Sequence, residues 1–178
     1  MYKIGIIGHS PEHFSNPEPE DVRGIIGRTI EVLYFQYGEG VIFNIAGEIG
    51  VGLWAAEECL NQNARYKYHM FIPYPLETMS QDWYKYQVEL LNECYNKAYS
   101  ITVCGQMKGN IEKHETYKRL IDDSNFIICF WIGKRQGKTF EAIKYALSVN
   151  KMVLNGLDQL RLITNKDIMK FKNSRKKI

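Results

Sequence analysis

The chain predicts an α/β fold: a doubly wound, mainly parallel sheet of five to six strands, flanked by helices. Three observations carry this. Short apolar runs alternate with stretches of helical periodicity as far as residue 155. The runs are apolar at nearly every position, as strands covered on both faces are. Polar or glycine-rich loops follow several of them, on the edge where right-handed crossovers gather the ends of parallel strands.

The elements follow in order. "YKIGIIG" opens the chain as a buried strand, and "EDVRGIIGRTIEVLYFQYG" is a helix. Ile26, Ile30 and Leu33 lie on one face of that helix, and Gly38 stops it. "VIFNIAG" is the second strand. "VGLWAAEECLNQ" is a helix entered through a glycine-rich turn, with Trp54 reading as core more readily than as a ligand platform. "YHMFIPY" is the third strand. "SQDWYKYQVELLNECYNKA" is a helix with Ser80 at its N-cap. "SITVC" is a strand and "KHETYKRLIDDS" a helix whose Asp122-Asp123-Ser124 end caps a turn. "NFIICFW" is the fifth strand, "TFEAIKYALSVN" a helix and "KMVLN" a last short strand. Residues 1–160 are expected to form one domain and residues 161–178 a basic C-terminal tail.

A chain of 178 residues can bury a sizeable core. No apolar run approaches the ~20 residues that span a bilayer, and "MYKIGIIGHS" lacks the features of a signal peptide. Cys59, Cys94, Cys104 and Cys129 show no C-x-x-C spacing. They read as free thiols in a reducing compartment, hence a cytoplasmic protein. The net charge of +3 is uneven: Lys166–Ile178 holds six cations and one anion, leaving 17 positive and 19 negative charges elsewhere. On this balance the body is not a basic surface, and neither nucleic acid nor membrane is expected as a partner. The tail reads as a solvated end, with weak attraction to a polyanion as the alternative.

Chemistry is expected in the loops on the sheet edge. After the first strand come Gly8, His9 and Ser10, which contact a ligand or remain surface groups. After the second comes "AGEIGVG", with spacing G-x-x-G-x-G rather than the dinucleotide G-x-G-x-x-G. Gly47, Glu48 and Gly50 either bring backbone amides to a phosphate at a helix start or let the helix pack on the sheet. "GKRQGKT" is one residue short of a P-loop, and no acidic strand end completes a magnesium site. Gly133, Lys134, Arg135, Gly137, Lys138 and Thr139 hold a phosphate or form a solvated basic turn. Glu141, in the first turn of the next helix, favours the helix dipole or faces a cleft, where a carboxylate can stabilise an oxocarbenium ion. Tyr74, Trp83 and Tyr84 could stack on a base or pack at the rim.

The segments "MYKIGIIGHSP", "FNIAGEIGVGLWAAEECL", "FIPYPLETMSQDW", "LIDDSNFIICFW" and "AIKYALSVNKMVL" resemble, in order, landmarks of the YpsA/YoqJ-type proteins. These belong to the SLOG superfamily, a Rossmann-like group that also includes the DprA proteins and the LOG phosphoribohydrolases. The resemblance implies a Rossmann-like sheet with a nucleotide-derived ligand held near Gly8, Gly47, Gly50 and the Gly133–Thr139 loop. It departs from the LOG motif P-G-G-x-G-T-x-x-E, of which only Gly137 and Glu141 match. Two functions are thereby implied. One is a small-nucleotide-binding protein that senses or sequesters an ADP-ribose-type or cyclic signal. The other is a nucleoside-5′-monophosphate N-glycosidase that uses Glu141. No cofactor or metal is expected, and homo-oligomers are. DprA-type DNA binding fits poorly with a body that is not basic.

Overall fold

Two apolar runs, Val41–Ala46 and Phe126–Phe130, are buried at every position, which requires cover on both faces of the sheet. The computed structural model describes residues 2–61, 66–106 and 109–169. Its strands are β1 (Tyr2–Gly8), β2 (Val41–Ala46), β3 (Lys67–Ile72), β4 (Ser100–Val103), β5 (Phe126–Phe130), β6 (Met152–Asn155) and β7 (Arg161–Ile163). Its helices are α1 (Pro19–Tyr37), α2 (Val51–Asn61), the one-turn α3 (Leu76–Met79), α4 (Lys85–Lys97), α5 (Asn110–Asp122), α6 (Lys138–Ser148) and α7 (Asn165–Met169).

The strands form a single sheet in the order β4-β3-β2-β1-β5-β6-β7. All neighbours are parallel except β7, which runs antiparallel to β6. The chain winds outward from β1 to β4, then returns through α5 to β5 on the other side of β1. Strand order therefore reverses between β1 and β5. Side chains alternate across each strand and build two cores. Ile4, Ile6, Phe43, Ile45, Met70 and Ile128 face one layer, which contains α1, α2 and α4. Ile7, Phe71, Ile127, Cys129 and Val153 face the other, which contains α5 and α6. One glycine is required by close approach: a Cβ at Gly52 would lie 1.9 Å from the Ala46 carbonyl oxygen, so α2 can start against the end of β2 only without a side chain there.

The structure departs from expectation in three places. The sheet has seven strands rather than five to six. The boundary at residue 160 is passed by the sheet, since β7 pairs with β6 and α7 follows it. Asp167 secures that junction by accepting hydrogen bonds from the Thr164 N–H and hydroxyl and from Arg161. The remaining expected tail, residues 170–178, lies outside the described residues. Finally, Ser80 does not start a helix; it ends α3, its hydroxyl donating to the Leu76 carbonyl. α4 begins at Lys85 with Tyr84 as N-cap, because the Gln87 side chain reaches back to the Tyr84 N–H. All four cysteines are free. Among the described residues no helix is long and apolar enough to cross a membrane.

Candidate functional site

Where strand order reverses, the loops after β1 and β5 part and leave a cleft of about 320 Å³. Gly8, His9, Ser10 and His13 form one wall, and Lys134, Gln136, Gly137, Lys138 and Thr139 another. Glu48, Ile49 and Tyr117 complete it. A lobe of about 160 Å³ opens beside it over the end of β3, lined by Pro73, Tyr74, Met79, Trp83 and Lys113. Ser10, Glu48, Ile49 and Lys138 line both spaces and mark where they join.

The β5–α6 loop takes its shape from residues outside it. The Asn155 side chain accepts from the Trp131 N–H at 3.2 Å and donates to the Trp131 carbonyl at 2.9 Å. The Trp131 indole N–H then donates to the Lys134 carbonyl at 2.8 Å. Gly137, at φ 87°, turns the chain into α6. The Glu141 N–H is the first in α6 to reach a backbone carbonyl, that of Gly137, which leaves the amides of the first turn open toward the cleft. An open helix start favours an anion. Lys134 stands beside it, with Nζ 3.4 Å from His13 Nδ1. Lys138 Nζ lies 3.0 Å from Glu48 Oε2, and the Tyr117 hydroxyl donates to that same oxygen at 3.2 Å. Burial and the adjacent Glu48 carboxylate push the Tyr117 hydroxyl well above its ordinary range, so it remains a donor.

At the start of α2 two amides are already taken. Val51 N–H donates to the His9 carbonyl at 3.2 Å and Leu53 N–H to the Glu48 carbonyl at 3.1 Å. Gly50 has φ 104°, and a Cβ there would come within 2.5 Å of the His9 carbonyl oxygen. Gly47 N–H donates to Phe71, and its Cα faces Ile72 and Met70. Of "AGEIGVG", then, Gly47 and Gly50 serve packing, and Glu48 and Ile49 reach the cleft.

His9 is 4 % exposed, and among the described residues its Nε2 has no hydrogen-bond partner. Burial lowers its pKa to about 4, with the neighbouring charges of His13 and Lys134 acting in the same direction, so the ring is neutral at pH 7. A neutral, buried imidazole on a cleft wall offers one unused polar atom.

Several predicted residues lie elsewhere. Gly133 and Arg135 do not line the cleft, and Arg135 donates to the Asp167 carbonyl at 2.9 Å. Glu141 lines a separate groove of about 330 Å³ between α5 and α6, where Lys144 pairs with it at 3.0 Å. That groove meets the cleft at Tyr117 and Lys138. Tyr84 is exposed and stacked on Tyr86, away from the lobe that Tyr74 and Trp83 line. The Ser10 hydroxyl donates to Glu12. Sequence reading missed His13, Tyr117, Trp131 and Asn155. For His13 a signal existed: Ser-Pro sets a 3-10 turn at Pro11–His13 that returns the second histidine toward the first. The contribution of α5 and β6 is tertiary and has no local signal.

No protein-family model matches the chain, and no curated protein matches it in sequence. Solved structures do. DNA processing protein A (DprA) from Streptococcus pneumoniae matches with a TM-score of 0.64 at 11% identity, over 86% of this chain and 50% of that one. The fold is DprA-like. DprA from Helicobacter pylori matches with a TM-score of 0.61 at 15% identity, over 89% of this chain and 71% of that one. This chain thus spans half the length of the S. pneumoniae protein. The likeness shows a Rossmann-like fold and does not single out the YpsA or LOG branches.

The H. pylori structure concerns that protein's single-stranded DNA binding mode. It corrects the expectation that nucleic acid is an unlikely partner, because a protein of this DprA-like fold takes DNA. The expectation rested on net charge, which averages over the surface. Here Lys113, Lys118 and Lys134 line the lobe, the adjoining groove and the cleft, beside the pairs Lys138–Glu48 and Lys144–Glu141, so an excess of positive charge is local.

Proposed function

We propose that the cleft between the ends of β1 and β5 holds the phosphate of a nucleotide, and that the protein senses or sequesters a small nucleotide-derived ligand of the ADP-ribose or cyclic kind. One observation carries this reading. Of the helix starts that follow β2 and β5, that of α2 has its Val51 and Leu53 amides taken by the His9 and Glu48 carbonyls, and that of α6 is open with Lys134 beside it. His9 supports it from the facing wall. The lobe with Tyr74 and Trp83 is the space for a base, whose π-face suits aromatic contact.

The N-glycosidase alternative has less support, because Glu141 is turned into the α5–α6 groove and held by Lys144. A second binding reading has an observation in its favour. Lys118 and Lys144 continue the cationic lining of the cleft along that groove, a path that suits a single nucleic-acid strand.

Calorimetric titration of the parent and Lys134→Ala with AMP, ADP-ribose, cyclic dinucleotides and oligodeoxythymidylate separates these readings. Binding of a small nucleotide, weakened about ten- to hundredfold in Lys134→Ala, supports the first reading. Binding of the oligonucleotide alone favours the second. Free base in chromatograms of the incubated parent, absent with Glu141→Gln, would establish the glycosidase.

A further inference from the structure

Among the described residues, Glu48 is the one carboxylate lining both the cleft and its side lobe. If the phosphate rests on α6 and the base enters the lobe, the join between the two spaces is where the sugar must lie. Glu48 occupies that join. Its side chain is 15 % exposed and fixed from two sides, by Lys138 and by the Tyr117 hydroxyl. Both contacts fall on Oε2, and among the described residues no hydrogen bond reaches Oε1.

A carboxylate beside a phosphate site would repel the ligand if it were bare. Here Lys138 neutralises it, so the repulsion is small and the acceptor capacity of Oε1 remains. An ionised carboxylate accepts and cannot donate. Its complement on a nucleotide is a donor, and between phosphate and base the donors are the sugar hydroxyls. The same logic operates where an acidic residue in a dinucleotide fold accepts from ribose.

We propose that Glu48 reads the sugar: its carboxylate accepts hydrogen bonds from the 2′- or 3′-hydroxyl of the bound nucleotide, which makes the ligand class ribonucleotides. This rests on the nucleotide reading above. Tyr117 and Lys138 act as positioning residues that hold the carboxylate toward the join.

The test is equilibrium binding of adenosine and guanosine 5′-diphosphates, with their 2′-deoxy and 2′,3′-dideoxy counterparts, to the full chain. The parent should lose tenfold or more in affinity when both hydroxyls are removed, since a hydrogen bond to a charged acceptor is lost. In Glu48→Gln that ratio should shrink several-fold, with the melting temperature and circular dichroism of the parent retained. The ratio of ribo to dideoxy affinity is the readout, so a general gain in phosphate affinity from removing a negative charge does not enter it. Equal affinity of the parent for ribo and dideoxy ligands would overturn the assignment without any variant having to fold. An undiminished ratio in folded Glu48→Gln would also overturn it, while leaving the nucleotide reading intact. Binding of none of the six ligands would overturn the assignment, and the nucleotide reading falls with it where AMP, ADP-ribose and cyclic dinucleotides also fail to bind.

Discussion

The buried His9 makes the stability of the fold depend on pH. In the folded chain its pKa is about 4, against an ordinary 6.5, chiefly because it is buried. As pH falls below 6.5, the unfolded chain takes up a proton on this residue that the folded chain refuses until about pH 4. His9 therefore contributes stability that is fully present above 6.5 and is lost as pH falls through the window from 6.5 to 4. About 2 kcal/mol should be gone by pH 5, and roughly 3 kcal/mol below pH 4. The perturbation is His9→Gln, which keeps a polar side chain and cannot titrate. Urea unfolding of both proteins at pH 7.5, 6 and 5 gives the stabilities, and only their difference is used. His69, whose pKa burial also lowers, titrates in both proteins and cancels. Between pH 7.5 and 5 the parent should lose about 2 kcal/mol more than the variant. Parallel pH profiles would refute the reasoning, because His9 would then titrate alike in both states.

Three further outcomes are expected. Arg135→Ala should bind nucleotide as the parent does, since its guanidinium serves the Asp167 carbonyl, and Lys134→Ala should lose affinity most steeply at low salt; titrations at two ionic strengths check this. Asn155→Ala should cost about 2 kcal/mol in urea unfolding, because the buried N–H and carbonyl of Trp131 both lose their partner, and it should weaken nucleotide binding as the loop carrying Lys134 loses its support. Gly52→Ala should fail to give a cooperative melting transition, as its Cβ would lie 1.9 Å from the Ala46 oxygen, and circular dichroism on heating reads that directly.

The sheet was legible in sequence wherever a run was apolar throughout. "NFIICFW" and "VIFNIA" could only be strands covered on both faces, and both are. β7 was not legible, because its return to β6 uses Gln159 and Leu160 at φ 46° and 59°. Asn155-Gly156 and Asp158 do mark a turn after β6, but neither Gln159 nor Leu160 is a usual turn former and the returning strand is only Arg161–Ile163, too short to show a period. The site was legible as a set of loops and not as a set of directions. Lys134, Arg135 and Lys138 look alike in one loop; a contact to α7, distant in sequence, takes Arg135 away. Glu141 is a different case. Two residues of helix separate it from Thr139, a rotation of about 200°. With Thr139 on the cleft, helical phase alone turns Glu141 aside.

Phosphate is expected at the open start of α6. Amide chemical-shift mapping on ¹⁵N-labelled protein, titrated with ADP, addresses it residue by residue. The largest shifts are expected on the amides of Lys138, Thr139 and Phe140, accompanied by His9, with the first turn of α2 little changed. Shifts centred on Val51 to Leu53, or confined to the α5–α6 groove around Tyr145 and Ser148, would contradict it.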